Sequence, residues 1–111
     1  VIIISTPQEI ALQDVKRGIR MFDKLKVKIL GLIDNMSHFI GDDGKKYAIF
    51  GEGGVKKTAE EFKKDFMGEI PIDPEVGKQG DLGSPIVESK PDHEISKKYF
   101  KFAEKIKSIY L

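Results

Sequence analysis

Three short polar clusters follow three apolar runs, and these are the residues best placed to do chemistry. Thr6-Pro7-Gln8 comes after Val1-Ile2-Ile3-Ile4. Asn35-Met36-Ser37 comes after Lys28-Ile29-Leu30-Gly31-Leu32-Ile33-Asp34, and Pro71-Ile72-Asp73 after Phe66-Met67-Gly68-Glu69-Ile70. An Asn at a strand end offers both a donor and an acceptor, which matches the edge of a purine base, and a Pro-x-Asp turn presents backbone groups in a fixed geometry. The same residue types also cap helices and shape turns, so spacing alone leaves base binding and a plain turn role both open. No Ser/His/Asp arrangement, carboxylate pair or metal box stands out, and His38 and His93 form no ligand set. A phosphate loop of the form G-x-x-x-x-G-K-S/T is absent. Gly51-Glu52-Gly53-Gly54 reads either as an anion-holding turn at a helix start or as a simple turn. Without a following Lys-Ser/Thr the anion signal is weak.

The elements that must position these clusters are legible from hydrophobic periodicity. The three apolar runs have the length and β-branched content of buried parallel strands, and such strands deliver polar residues to the carboxyl edge, where open α/β sheets bind ligands. Between the first two runs, Leu12, Val15, Ile19 and Phe22 recur at helical spacing and predict an amphipathic helix from about 9 to 25. Gly18 inside it is expected to pack closely against the sheet, and the basic side chains of the helix are expected to be a solvated face. Phe39-Ile40 and Tyr47-Ala48-Ile49-Phe50 bracket an Asp-Gly turn and predict a short hairpin. Val55, Ala59 and Phe62 mark a short helix. Glu75 to Pro91, with five Gly and Pro in it, reads as a loop with one brief extended piece at Pro85-Ile86-Val87. Ser89 or Asp92 is expected to cap a final helix whose apolar face is Ile95, Tyr99, Phe102, Ala103, Ile106 and Tyr110.

Composition narrows the function. The chain has 111 residues and 40% hydrophobic content, enough for one domain with its own core. With 19 basic against 18 acidic side chains the net charge is +1, so no global field favours nucleic acid or an anionic membrane. Cysteine is absent, which excludes disulfides, thiolate metal sites and a cysteine nucleophile. No apolar run has the length of a membrane span and no signal peptide opens the chain, so a cytoplasmic protein is expected. Val1 falls directly inside a strand-like run with no polar lead, which predicts a chain cut from something longer.

Five motifs in order carry a resemblance: Ser5-Thr6-Pro7-Gln8-Glu9-Ile10-Ala11-Leu12, Gly31-Leu32-Ile33-Asp34-Asn35-Met36-Ser37, Ile49-Phe50-Gly51-Glu52-Gly53-Gly54, Gly68-Glu69-Ile70-Pro71-Ile72-Asp73 and Asp81-Leu82-Gly83-Ser84-Pro85-Ile86-Val87. Together they resemble the carboxyl-terminal half of the Mrp/NBP35 family, P-loop ATPases of the MinD/ParA-like group that carry or assemble iron–sulfur clusters. The resemblance implies a partial MinD-like α/β fold in three layers, with three main parallel strands in sequential order, flanking helices and a small hairpin insertion. It also implies that Asn35, Pro71 and Asp73 border the adenine of ATP, with Thr6, Pro7 and Gln8 beside the nucleotide. The P-loop and magnesium ligands belong to the other half, so no catalytic residue is assigned here, and ATP binding by this chain is expected to be weak or absent. Family members carry Cys-x-x-Cys soon after Asn-Met-Ser, where this chain has Gly41-Asp42-Asp43-Gly44. A cluster bound to this chain is therefore not expected, and Asp42 and Asp43 are expected to form a solvated turn. In the MinD-like sheet the strand equivalent to Val1-Ile4 pairs on its far side with the P-loop strand, so here that edge is open. A homodimer or higher oligomer through Val1–Ile4 is expected. Iron–sulfur client proteins are the partners the family implies. The competing expectation is a non-enzymatic α/β interaction module that self-associates and binds no nucleotide.

Overall fold

The computed structural model describes residues 1–110. Contacts gather into two compact units, Val1–Ile72 and the residues from Asp73 onward.

In the first unit three strands, β1 (Ile2–Ser5), β2 (Gly31–Asn35) and β5 (Phe66–Ile70), form a parallel sheet in the order β1-β2-β5. Two helices connect them, α1 (Glu9–Lys24) and α2 (Gly54–Glu61). Their apolar stripes, Leu12, Val15 and Ile19 from α1 and Val55 and Ala59 from α2, close over Leu32 in one core, with Ile3, Phe62 and Phe66 packed against it. Both helices thus lie on the Leu32 face of the sheet. The second strand begins at Gly31, three residues later than the apolar run itself, because Gly31 is where pairing with β1 starts, opposite Ile2. Gly31 has a steric reason: a Cβ there would sit 2.5 Å from Met67 Cγ and 2.9 Å from the Asp65 carbonyl oxygen. The register between β2 and β5 shifts at that point, from Leu32 opposite Phe66 to Ile33 opposite Gly68.

Between β2 and α2 lies the hairpin of β3 (Phe39–Ile40) and β4 (Lys46–Tyr47), which pair antiparallel. Ala48 to Phe50, expected to extend the second arm, are not strand. The turn closes through Gly44 at φ 76°, with Asp43 accepting from the Lys45 N–H at 2.9 Å and from the Tyr47 hydroxyl at 2.6 Å. One further expectation changes. A Cβ on Gly18 would meet nothing within 4 Å, so that glycine is not a close-packing position. The basic residues of α1 do lie on its solvated face, Arg17, Arg20 and Lys24 exposed and Lys16 half-buried beside Glu61 at 3.4 Å, with the Arg20 guanidinium 5.4 Å from the Phe62 ring centroid.

The second unit is helical where the sequence reads as loop. It contains α3 (Pro74–Asp81), α4 (Ile86–Ser89) and α5 (Glu94–Tyr110). Local capping overrides the low helix propensity of Gly77 and Gly80: Asp73 Oδ1 accepts from the Glu75 N–H at 2.9 Å, Pro74 occupies the first helical turn, and Gln79 donates to Glu75 at 2.7 Å. Gly83, at φ 74°, then ends α3, with the Ser84 N–H returning to the Gln79 carbonyl at 2.9 Å. Pro85 to Val87 are accordingly not an extended piece; Ile86 opens α4. The cap of α5 is neither Ser89 nor Asp92. Ser89 Oγ donates back to carbonyls of its own segment, and His93 Nδ1 accepts from the Ile95 N–H at 3.1 Å. Of the apolar face of α5, Ile95 is buried and Phe102 and Ile106 are half-buried, whereas Tyr99 and Tyr110 are exposed. Ser96 is buried too, its hydroxyl donating to the Lys90 carbonyl at 2.7 Å.

Candidate functional site at the carboxyl rim of the sheet

Parallel pairing brings the ends of the three strands level, Ser5 opposite Asp34 and Asn35 opposite Ile70. The segments that follow, Thr6-Pro7-Gln8, Asn35-Met36-Ser37 and Pro71-Ile72, therefore share one rim of the first unit. After Asn35 the backbone turns through Met36 at φ 53°, a left-handed conformation rare for a non-glycine residue. That turn lets the Ser37 N–H donate to the Ile70 carbonyl at 3.0 Å and the Ile72 N–H to the His38 carbonyl at 2.6 Å. The two strand exits are thereby clamped together past the end of the sheet. Asn35 and Pro71 are half-buried, and Ser37 and His38 are buried. On the third segment Pro7 is buried, and Thr6 Oγ1 donates to Gln8 Oε1 at 3.1 Å. The glycine-rich stretch packs behind it: a Cβ on Gly51, at φ 128°, would lie 2.8 Å from the Pro7 carbonyl oxygen, and one on Gly54 would lie 2.5 Å from Leu12 Cδ1. Gly51 is thus required by its close approach to Pro7, and Gly54 by its approach to Leu12.

Asp73 stands at the head of the second unit. Its Oδ1 caps α3, and its Oδ2 lies 3.4 Å from His93 Nε2. The carboxylate is partly committed within its own unit.

Sequence reasoning passed over one chemical feature of the rim. Residues alternate faces along a strand, so Asp34 shares the core face with Leu32, and the register sets Ser5, Asp34 and Glu69 in one row across the sheet. Asp34 is 4% exposed, and its Oδ1 has no hydrogen-bond partner. Burial, with a smaller contribution from the neighbouring Glu69 charge and against the pull of Lys46, raises its pKa to about 6. Glu69 Oε1 in turn lies 3.7 Å from His38 Nδ1 and 3.8 Å from Lys46 Nζ. His38 Nδ1 is also 2.8 Å from Ser37 Oγ. The available signal was a carboxylate inside an otherwise apolar strand run; what the run could not reveal is which residue of β5 stands opposite.

On the hairpin, Asp43 is occupied by its own turn, and the hydrogen bond from the Tyr47 hydroxyl holds its carboxyl below the usual range. Asp42 is exposed. Among the described residues no group of three or more His, Asp or Glu has the arrangement of a metal site, and no helix is long and apolar enough to cross a membrane.

The fold recurs in solved proteins. The cell-division ATPase MinD of Pyrococcus furiosus superposes with a TM-score of 0.73 over 97% of this chain and 42% of its own, at 21% identity, a likeness of fold alone. A nucleotide-binding protein of Archaeoglobus fulgidus, solved in complex with ADP, superposes with a TM-score of 0.63 over 74% of this chain and 34% of its own, at 38% identity. Among curated relatives, an iron–sulfur cluster carrier protein of Aquifex aeolicus is 41% identical over 109 residues, covering 97% of this chain and 30% of the relative. The iron–sulfur cluster transfer protein NUBPL of Dictyostelium discoideum is 41% identical over 106 residues, 95% of this chain and 33% of its own length. The chain thus spans about a third of the length of the curated relatives it matches. The model of the family described as ParA, NUBPL iron-transfer P-loop NTPase, matches residues 1–107, nearly the whole chain, and the protein belongs to that family.

Proposed function

We propose that this chain supplies the adenine side of the nucleotide site in an iron–sulfur cluster carrier, with Asn35 and Pro71 at the rim of the sheet and Asp73 joining them by the family motif. The observation that carries this reading is the clamp beyond the sheet, Ser37 N–H to Ile70 and Ile72 N–H to His38, which holds the Asn35 and Pro71 turns side by side at the edge where open α/β sheets take ligands. The ADP complex of the 38% identical protein supports it. Thr6, Pro7 and Gln8 flank the same rim. The chain has no phosphate loop, and phosphoryl transfer depends on phosphate positioning and charge neutralisation by such a loop and its magnesium ion, so hydrolysis is not assigned to these residues. The cluster is cargo in this reading. With no cysteine the chain offers no thiolate to hold it, so anaerobic incubation with iron and sulfide should leave no stable absorbing species on it.

The test is an NMR titration with ATP. Saturable amide shifts at Asn35, Met36, Ile72 and Asp73, with a Kd of about millimolar or weaker, are expected, because base contacts alone carry a small share of the affinity. Unmoved amides at the highest attainable ATP, or micromolar affinity, would overturn the reading. Assembly belongs to the same proposal. Among the described residues the outer edge of β1 is unpaired, and Ile4 is 58% exposed beside it, so self-association through Val1–Ile4 is expected.

A further inference from the structure

We infer that the amino edge of the sheet, opposite the candidate site, is a docking surface for an acidic segment of a protein partner, anchored by Lys26 and Lys63. Among the described residues three helices end in the same double turn of hydrogen bonds. After α1 the Lys26 N–H donates to the Asp23 carbonyl and the Val27 N–H to Phe22; after α2 Lys63 donates to Glu60 and Lys64 to Ala59; after α3 Gly83 donates to Gly80 and Ser84 to Gln79. The first donor of each pair is left-handed, with φ 57° at Lys26, 57° at Lys63 and 74° at Gly83. Glycine is the usual occupant, because a Cβ is strained there. Gly83 follows that rule in the second unit. At the amino edge of the sheet lysine stands at both positions.

In parallel βαβ units the connecting helices run back, so α1 and α2 both end at this edge. Lys64 Nζ, 2.7 Å from Asp23 Oδ1, ties the two ends together. Around that pair Lys24, Lys26, Lys28 and Lys63 are exposed, and among the described residues none of the four forms an ion pair. Besides Asp23 and the Glu61 paired with Lys16, the carboxylates of these segments are Glu60 and Asp65, both exposed. Helix dipoles do not account for the lysines. A helix end carries about half a charge, Lys24 already stands in the last turn of α1, and a left-handed lysine forfeits in strain at least what its charge returns. In the same stretch Met21, Leu25 and Val27 are exposed, at 49%, 64% and 38%. The complement is a segment with carboxylates spaced among apolar side chains. The aromatic rings here, Phe22 and Phe62, are half-buried, which offers nucleic-acid bases no stacking platform. A net charge of +1 supplies little field to hold the chain on an anionic lipid surface.

The test is an NMR titration of the chain with a short peptide of leucines spaced among glutamates, and with the same peptide carrying glutamine for glutamate. The acidic peptide should shift amides within Met21–Lys28 and Glu60–Asp65 and leave Asn35 still, and the neutral one should shift none. Lys26→Gly combined with Lys63→Gly should weaken binding roughly tenfold, the worth of two exposed ion pairs. The same variant should unfold at a midpoint higher by roughly a few degrees, because the left-handed strain is relieved. Undiminished binding in the variant overturns the inference. A lowered midpoint also overturns it, because the lysines would then serve only to cap their helices. Shifts of this surface by a single-stranded oligonucleotide or by phosphatidylserine vesicles, but not by the acidic peptide, overturn it as well.

Discussion

Asp34 and Glu75 are carboxylates pushed in opposite directions, and each writes its own pH dependence into the fold. For Asp34 the folded pKa, about 6, lies above the ordinary 3.8, mainly through burial. A raised carboxylate contributes stability that is fully present below the unfolded pKa and is lost as pH rises through the folded one, so its ionisation destabilises the protein between about pH 4 and 6. Asp34→Asn should therefore raise the unfolding midpoint near neutral pH, by at most on the order of 2–3 kcal/mol, and the gain should fade toward about pH 4. Glu75 is lowered from 4.5 to about 2, first by the Lys90 ammonium, 2.7 Å from its Oε1, and then by the Gln79 amide. Its contribution is present above the unfolded value and lost as pH falls through the folded one. Glu75→Gln should destabilise at neutral pH and match the wild type near about pH 2, with the difference shrinking in high salt. Urea unfolding across this pH range checks both signs in one set of measurements.

At the level of elements, glycines separate close packing from tolerance. Gly31→Ala would press a methyl group on the Asp65 carbonyl and Met67 across the β2–β5 pair. A loss of about 2–3 kcal/mol is expected, because the backbone oxygen cannot move aside without opening the sheet. Gly18→Ala is expected to do the reverse. Within α1 an alanine there meets nothing within 4 Å, so it should stabilise by about 0.5–1 kcal/mol through helix propensity alone. Chemical denaturation of the two variants should move the midpoint in opposite directions. The second unit makes the same point about local chemistry. The Asp73 cap, Pro74 and the Glu75–Gln79 pair form a helix over a stretch whose Gly content reads as loop.

On the scale of the whole molecule, the first unit has its α1 and α2 core on one face and ends at an uncovered strand. In a three-stranded sheet ordered β1-β2-β5, β1 is an edge, and its exposed Ile4 is flanked by Ile3, which packs into the core. Ile4→Lys is thus the informative change. It should abolish self-association in light scattering at high micromolar concentration while leaving the unfolding midpoint within about 0.5 kcal/mol of wild type. A wild-type chain that scatters as a monomer at that concentration would remove the assembly proposal.

The family, the three parallel strands and the rim positions of Asn35 and Pro71 were all legible in the amino-acid sequence. Apolar β-branched runs specify buried strands through their composition, and the polar residues that end them mark the edge. The last helix was legible from its apolar period, but α3 and α4 and the His93 cap of α5 were not, because their signal lies in local hydrogen bonds such as those to Asp73 and His93 rather than in hydrophobic period. Neither was the role of Gly31 or Gly51, each decided by a neighbour more than thirty residues away in sequence, Met67 and Pro7. Above all, only the tertiary structure sets Asp34 opposite Glu69 and leaves its Oδ1 without a partner. The register between two strands depends on how side chains of both fill one core, and no property of either strand alone carries it.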